Sequence, residues 1–316
     1  MESLSEQNLV VIAAGGGNDV FSAIAYINSH HSNKNYNNVI LFGILGLTPF
    51  HTNEPLKFNH VNIEEPIIIP TCDTKRYIMM KEQIFACESL LHKLVTPNIT
   101  NYYCISSKYS AIEQANNIRK LFNELNISNL NTFIEIVDFG GDILTNGEQS
   151  SIISPELDAF SLAIARNLFE YRSHIVVCYP GVDGELNRSY LKDMCNSRHL
   201  IKVKAINSKL WLSQLKIIHE TLNSFRPGNT IPNMINVLNK LDDCSISKSF
   251  TVGKDKYNYY KKIDIDMSLQ SKIYYFNINI ENPFVDIFNT KDYNLLSLLN
   301  NINQIYQKQI IDDDTL

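Results

Sequence analysis

The chain predicts an α/β fold built on a doubly wound, mostly parallel sheet, and three observations carry that expectation. Short β-branched apolar runs alternate with helical patterns along the first two thirds of the sequence. The runs are apolar throughout rather than alternating, as expected of strands buried on both faces of a parallel sheet. Several of them end in glycine-containing turns that carry acids, where the ligand crevice of an open parallel sheet lies.

The elements follow in order. Strands are expected at Leu9–Ala14, Asn38–Leu45, Asn101–Ser106, Phe133–Val137 and His174–Tyr179. A helix over Asp19–His30 places Val20, Ile24 and Ile27 on one face, and one over Ser110–Asn126 does the same with Ile112, Ile118, Leu121 and Leu125. Between them, Gly46–Thr74 reads as a long segment covering the site, followed by a helix near Gln83–Val95. At Ser154-Pro155-Glu156-Leu157-Asp158 the serine is an N-cap, the proline takes the first helical position and acids follow in the first turn; the helix runs on through Phe160, Ile164 and Leu168. Arg188–Asn196, Ser208–Phe225 and Ile231–Leu241 read as further helices. Strand and helix in alternation imply right-handed crossovers and a doubly wound sheet.

The last part differs in texture. Ser245–Asp264 is polar and aromatic without a period, Lys272–Asn279 reads as a strand and Leu295–Ile311 as a final helix before the acidic Asp312-Asp313-Asp314. We therefore expect residues 1–244 to form the α/β domain carrying the site, and residues 245–316 to be a C-terminal strand/helix extension packing on the same sheet. About seventy residues alone would make only a marginal core.

Composition narrows the function. With 316 residues, 44% of them hydrophobic, the chain can bury a large core. A net charge of -5 and a pI near 5.9 give no footprint for nucleic acid or an anionic membrane. The basic run Lys254–Lys262, with Tyr257, Tyr259 and Tyr260, reads better as a solvated loop or edge strand than as a base-stacking surface. Six cysteines without metal-ligand spacing, no signal pattern at Met1–Gln7 and no long apolar run suit a soluble, cytoplasmic protein. Its expected partner is a small-molecule ligand, and its exposed-looking helices permit a homo-oligomer.

The candidate site residues lie in the turns. Gly15, Gly16 and Gly17, followed by Asn18 and Asp19, let backbone N–H groups approach a ligand at a helix start. The third position of a dinucleotide fingerprint is Val20, and no acid follows Leu41-Phe42-Gly43 to hold a ribose. Asp19 would repel a bare phosphate and suits hydroxyls, a metal ion or a cationic group. In Asp138-Phe139-Gly140-Gly141-Asp142 the first carboxylate sits at a strand end with open space above it. Asp138 and Asp142 can share a divalent cation such as magnesium or calcium, or divide into acid and base. Glu148 is a second acid, and Gly181, Asp183 and Glu185 repeat the arrangement after the next strand, with Asn187 and Arg188 beside them for a polar or anionic group. Each has a structural alternative: a capped glycine turn, an Asx turn, and for Glu156 and Asp158 the ordinary acids of a helix start. His51 in the covering segment and Ser106-Ser107-Lys108-Tyr109 are weaker candidates. Neither a kinase nor a serine hydrolase fits, since the Asp-Phe-Gly run lacks its partner motifs and no G-x-S-x-G elbow is present.

The opening Gly15-Gly-Gly-Asn-Asp19, the run Val137-Asp-Phe-Gly-Gly-Asp-Ile-Leu-Thr-Asn-Gly-Glu148, Ser154-Pro-Glu-Leu-Asp158 and Pro180-Gly-Val-Asp-Gly-Glu185 together resemble the DUF1152 family, a domain of unknown function. The resemblance spans Leu9 to Asn196 and implies a Rossmann-like fold without implying a reaction. Two functions are expected from the residues. The first is an enzyme that hydrolyses or transfers at a glycosidic or phosphoester bond of a nucleotide- or sugar-like molecule, with Asp138 or Asp142 as base, Glu148 as acid and Asp19 and Asp183 as binding or metal ligands. The second is a nucleotide or metabolite sensor in which the same turns bind and nothing reacts; an NAD(P)-dependent oxidoreductase is a third.

Overall fold

The computed structural model describes residues 7–16, 18–45, 68–70, 94, 98–107, 109–145, 155–183, 186, 188–222, 230–241, 249–251, 264–282 and 284–289. In chain order its elements are β1 (Gln7–Gly16), α1 (Asn18–His30), β2 (Tyr36–Leu45), β3 (Ile68–Pro70), β4 (Asn101–Ser106), α2 (Ala111–Glu124), β5 (Thr132–Phe139), α3 (Pro155–Asn167), β6 (Arg172–Cys178), α4 (Arg188–Cys195), β7 (Leu200–Ala205), α5 (Ser208–Leu222), α6 (Thr230–Leu241), β8 (Ser249–Thr251), β9 (Asp264–Asp266), α7 (Met267–Gln270) and β10 (Lys272–Asn277).

Eight strands form one sheet in the order β3-β4-β2-β1-β5-β6-β10-β7, while β8 and β9 pair separately. The β4-β2-β1-β5-β6 stretch is parallel, and β3 and β10 run antiparallel to their neighbours. The chain winds outward from β1 through β2 to β4, then resumes on the other side of β1 with β5 and β6. The strand order therefore reverses between β1 and β5, the switch point at which ligand crevices open in such sheets. This is the expected α/β, doubly wound, mostly parallel architecture.

The helices fall on two faces. Leu9, Val11 and Ala13 of β1 share a core with Phe21 and Ile24 of α1, Trp211 and Leu215 of α5 and Met234 of α6. Val10, Ile12 and Ala14 point the other way, into a core with Ile118 and Phe122 of α2 and Phe160 and Ile164 of α3. Both faces of β1 are buried, which is why its sequence shows no alternation. Fully burying each such side chain stabilises the fold by about 1.5–3 kcal/mol.

Local chemistry sets the helix starts. Ser110 caps α2: its Oγ accepts from the Glu113 N–H at 3.3 Å while its own N–H donates to Glu113 Oε2 at 3.0 Å, a reciprocal capping box. Helix α3 begins at Pro155, and Ser154 lies outside the described residues.

Four strands depart from the expected series. Leu200–Ala205 is β7 at the sheet's edge, Ile68–Pro70 forms β3 within the expected covering segment, and β8 pairs with β9. The expected helices at 83–95 and 295–311, the rest of 46–74 and the basic run 254–262 lie outside the described residues, apart from Leu94. Among the described residues no helix is long and apolar enough to cross a membrane.

Candidate functional site

The turns after β1, β5 and β6 and the first turn of α3 converge at the switch point. Alternation along β5 decides which way its acid points. Ile134 and Ile136 face the core shared with α2 and α3, so Asp138, two positions further, belongs to that same face. There it meets Asp158, one turn into α3. Oxygens of Asp138, Asp142 and Asp158 all lie within 4.8 Å of one another, and the three residues are 2%, 7% and 2% exposed.

Two glycines make the convergence sterically feasible. Gly15 has φ +77°, and a Cβ there would fall on the Asp19 carboxylate and 3.2 Å from Asp158 Oδ1. Gly140 has φ +150°, and a Cβ there would fall on the Asp183 carboxylate. Both positions thus need a positive φ and the space of a missing side chain. The Gly181 N–H donates to the Gly140 carbonyl at 2.6 Å, tying the β6 turn to the β5 turn and seating Asp183 over Gly140. Asp142 opens a short 3-10 turn, Asp142–Leu144, whose carbonyl accepts from the Thr145 N–H at 2.9 Å and the Thr145 hydroxyl at 2.7 Å. Tyr179, directly after β6 and before Gly181, holds φ +51° although it is bulky and fully buried. Such a conformation persists only where the surroundings impose it.

The electrostatics are those of acids crowded without a base. Burial, then the charges of Asp142, Asp19 and Asp183, push Asp138 well above the usual carboxylate range, against a hydrogen bond from the Gly141 backbone. Asp158 is pushed well up by burial and by Asp142 and Asp138. Asp142 is raised by burial, but hydrogen bonds from Asp158 and Asp138 oppose the rise. All three are thus raised together, and burial with mutual repulsion disfavours their ionising at once. One oxygen of Asp138, Oδ2, is buried with no hydrogen-bond partner. Among the described residues no lysine, arginine or histidine forms an ion pair with these three acids.

Buried, mutually repelling carboxylates suit two chemistries. Their oxygens are the hard ligands that magnesium and calcium take, and a separation of up to 4.8 Å is about twice a Ca–O bond. Alternatively, a proton-holding carboxyl beside an ionised one is a general acid next to a general base.

Of the residues singled out in sequence, Asp19, Asp138, Asp142, Asp183, Gly15 and Gly140 are brought together here, with Gly141 and Gly181 in the same turns. Gly16 ends β1 and Asn18 starts α1, while Gly17, Glu148, Glu185, Asn187 and His51 lie outside the described residues. Arg188 is turned to another use: its Nε donates to Asp266 Oδ2 at 2.9 Å, joining α4 to the start of α7. Ser107 and Tyr109 follow β4, which β2 separates from β1. Asp158 is the member that the sequence left among ordinary helix-start acids. Its signal was the company it keeps: from Leu157 to Ala165 the helix is buried on every side, and an acid inside such a run needs a partner.

Comparison with known proteins adds the following. The model of the family described as Protein of unknown function (DUF1152) matches residues 71–225, just under half of the chain. That stretch includes Asp138, Asp142, Asp158 and Asp183 and leaves out Gly15 and Asp19. No curated protein matches. A solved structure, Enterococcus italicus Csm6 bound to cyclic hexa-2'-fluoro-hexa-dAMP, is similar with a TM-score of 0.27 and 8% identity. The alignment covers 76% of this chain and 54% of that one, so the chain spans about half the length of that protein. Over residues 71–225, with four of the five converging aspartates inside the match, the chain resembles the DUF1152 family.

Proposed function

We propose that this chain is a hydrolase or transferase acting on a nucleotide- or sugar-like small molecule, with the switch-point aspartates as divalent-cation ligands and acid/base groups. The observation that carries the reading is the set Asp138, Asp142 and Asp158, buried within 4.8 Å of one another where a doubly wound sheet opens its crevice. A divalent cation held there would polarise a phosphoryl or glycosidic oxygen and activate water. Asp138, Asp142 and Asp158 would ionise to hold the cation; Asp142, the most exposed of them at 7%, is the base, and Asp19 and Asp183 bind substrate hydroxyls or outer water.

The test is a thermal-shift screen of nucleotides and sugar phosphates, each with and without magnesium or calcium, followed by turnover assays on the class that binds. A cation-dependent rise with one class, and turnover lost in Asp142→Asn with binding kept, is the expected result. No shift with any cation in the wild-type chain overturns the reading.

A second reading is favoured by the depth of the trio. Asp138 and Asp158 are each 2% exposed, a degree of enclosure that suits a held ion as well as a reacting one. In that case the chain is a metabolite sensor, and a bound ligand is recovered unchanged after long incubation.

A further inference from the structure

A second cluster of titratable groups lies toward the other end of the same strands, on the opposite face. Glu135 stands three residues before Asp138 in β5, roughly 10 Å along the strand, and faces α1 rather than α3. Its Oε2 accepts from the Tyr26 hydroxyl at 2.7 Å and is 2.9 Å from His31 Nε2, while His31 Nδ1 meets the Tyr36 hydroxyl at 2.9 Å. This acid is fully engaged: burial opposes its charge, yet His31 and Tyr26 hold it at about 2.

Around it lies a set of basic side chains that feel the charge of Glu135, although that carboxylate is itself bonded to His31 and Tyr26. Lys202 and Lys204 are on β7, where Lys202 pairs with Tyr275 and Lys204 with Ile273 of β10. Their Nζ atoms lie 4.1 Å and 5.1 Å from the centre of the Tyr275 ring. Lys204 Nζ is also 3.2 Å from His30 Nε2, but the Tyr275 hydroxyl reaches the same nitrogen at 2.8 Å. A neutral ring nitrogen has at most one lone pair to offer, so His30 can take no more than one of the three donors of the Lys204 ammonium. His174, paired with Glu135 in the sheet register, has a buried Nδ1 with no hydrogen-bond partner. Lys34 stands over Tyr36 on the same side. Among the described residues no carboxylate lies within ion-pair distance of Lys34, Lys202 or Lys204.

The titration of the cluster agrees with the geometry. Lys204 is lowered by burial and by the charges of Lys34 and Lys202. His30 is lowered to about 3 by burial, His31 and Lys204, and His174 is lowered by burial and Lys202. In all three the charge of Glu135 opposes the shift, and burial together with the neighbouring cations outweighs it.

We propose that Lys202 and Lys204 over Tyr275, with His30 and His174 beside them, form a binding site for a phosphate-type oxyanion, separate from the carboxylate site. Each ammonium donates to an oxygen as a point charge, and the ring beneath fixes both lysine stems. The neutral imidazole of His174 donates from Nδ1 once an acceptor arrives.

The experiment is calorimetric titration of the full chain with inorganic phosphate and, separately, with phenyl phosphate, at low and high salt. The double variant Lys202→Gln, Lys204→Gln replaces partly exposed side chains, and circular dichroism reports whether it is folded. Lys216→Gln, on the exposed side of α5, is the control for unspecific charge. Saturable binding that weakens about tenfold or more in the double variant, persists in Lys216→Gln and in Asp138→Asn, and falls with salt is the expected result. Tighter phenyl phosphate than phosphate assigns the site to an esterified phosphoryl group, and the reverse order assigns it to the free ion. No saturable binding to the wild-type chain, or equal loss in Lys216→Gln, overturns the proposal. Should the double variant unfold, Lys202→Arg takes its place, with retained binding expected and lost binding counting against the site.

Discussion

At Asp138 the site can be tested through charge alone. Its folded-state pKa is raised, so its contribution to stability is fully present below the ordinary carboxylate value and is lost as pH rises. Glu135 has the opposite sign: held at about 2, it contributes stability above the ordinary value near 4.5 that disappears as pH falls toward 2. In chelator, Asp138→Asn is therefore expected to melt higher than the wild-type chain, by about 2 °C for each kcal/mol of relieved repulsion. That gap should widen between roughly pH 4 and pH 7 as the acids of the trio ionise in the unfolded state. Added calcium or magnesium should reverse the order, because only the wild-type chain gains a ligand. Melting curves in chelator and in calcium decide it: a variant that melts lower in both, with the cation response intact, removes Asp138 from the site. The acid itself was legible in sequence, since a carboxylate at the end of an apolar run next to paired glycines has few other readings. Asp158 was less so, because a first-turn acid looks ordinary by itself and only the small and apolar residues that follow it mark its surroundings as interior.

At the scale of elements, sequence reading succeeded where a strand or helix has one dominant environment. The strands β1, β2, β4, β5 and β6 lie inside the sheet, and continuous apolar runs marked all of them. The edge strand β7, Leu-Ile-Lys-Val-Lys-Ala, has both faces largely in solvent, with Ile201 and Val203 exposed as well as Lys202, so it lacks the continuous apolar run of a buried parallel strand. The three-residue strands β3, β8 and β9 are too short to carry a period. Helix α5 shows how an element far from the aspartates supports their geometry. Its Trp211, the single tryptophan of the chain, is fully buried edge-on against Tyr179, with ring centres 5.2 Å apart, and 6.3 Å from Phe139. These two aromatics flank the β6 and β5 turns, so Trp211 presses on both turns that carry site residues. Trp211→Ala is expected to cost about 3–5 kcal/mol in a urea titration. It should also weaken the cation-induced stabilisation, although no atom of Trp211 belongs to the site. A variant with the full stability loss and an undiminished cation response would show that the turns hold their shape without the helix.

For the whole molecule, the decisive feature is that the sheet does not close in sequence order. Strand β10 enters from the last fifth of the chain and pairs with β6 on one side and β7 on the other, antiparallel to both. Its Ile273, Tyr274, Tyr275 and Phe276 are all buried, feeding both cores alternately. Gln270, just before it, donates to the Pro180 carbonyl at 2.7 Å, so the same segment also braces the turn that presents Asp183. A chain ending at residue 244 keeps every aspartate of the site yet loses the strand that joins β6 to β7. Two rows of backbone N–H and C=O groups would then face each other unpaired, a configuration that invites intermolecular pairing. The truncated chain is accordingly expected to aggregate or to unfold without a cooperative transition, whereas a chain nicked between residues 244 and 264 should stay assembled. Supplying residues 264–289 as a separate peptide should restore a cooperative melt and the cation response together. A soluble, cooperatively folding 1–244 fragment with its cation response intact would instead mean that the site and the first seven strands are self-sufficient, and that β10 only completes an edge.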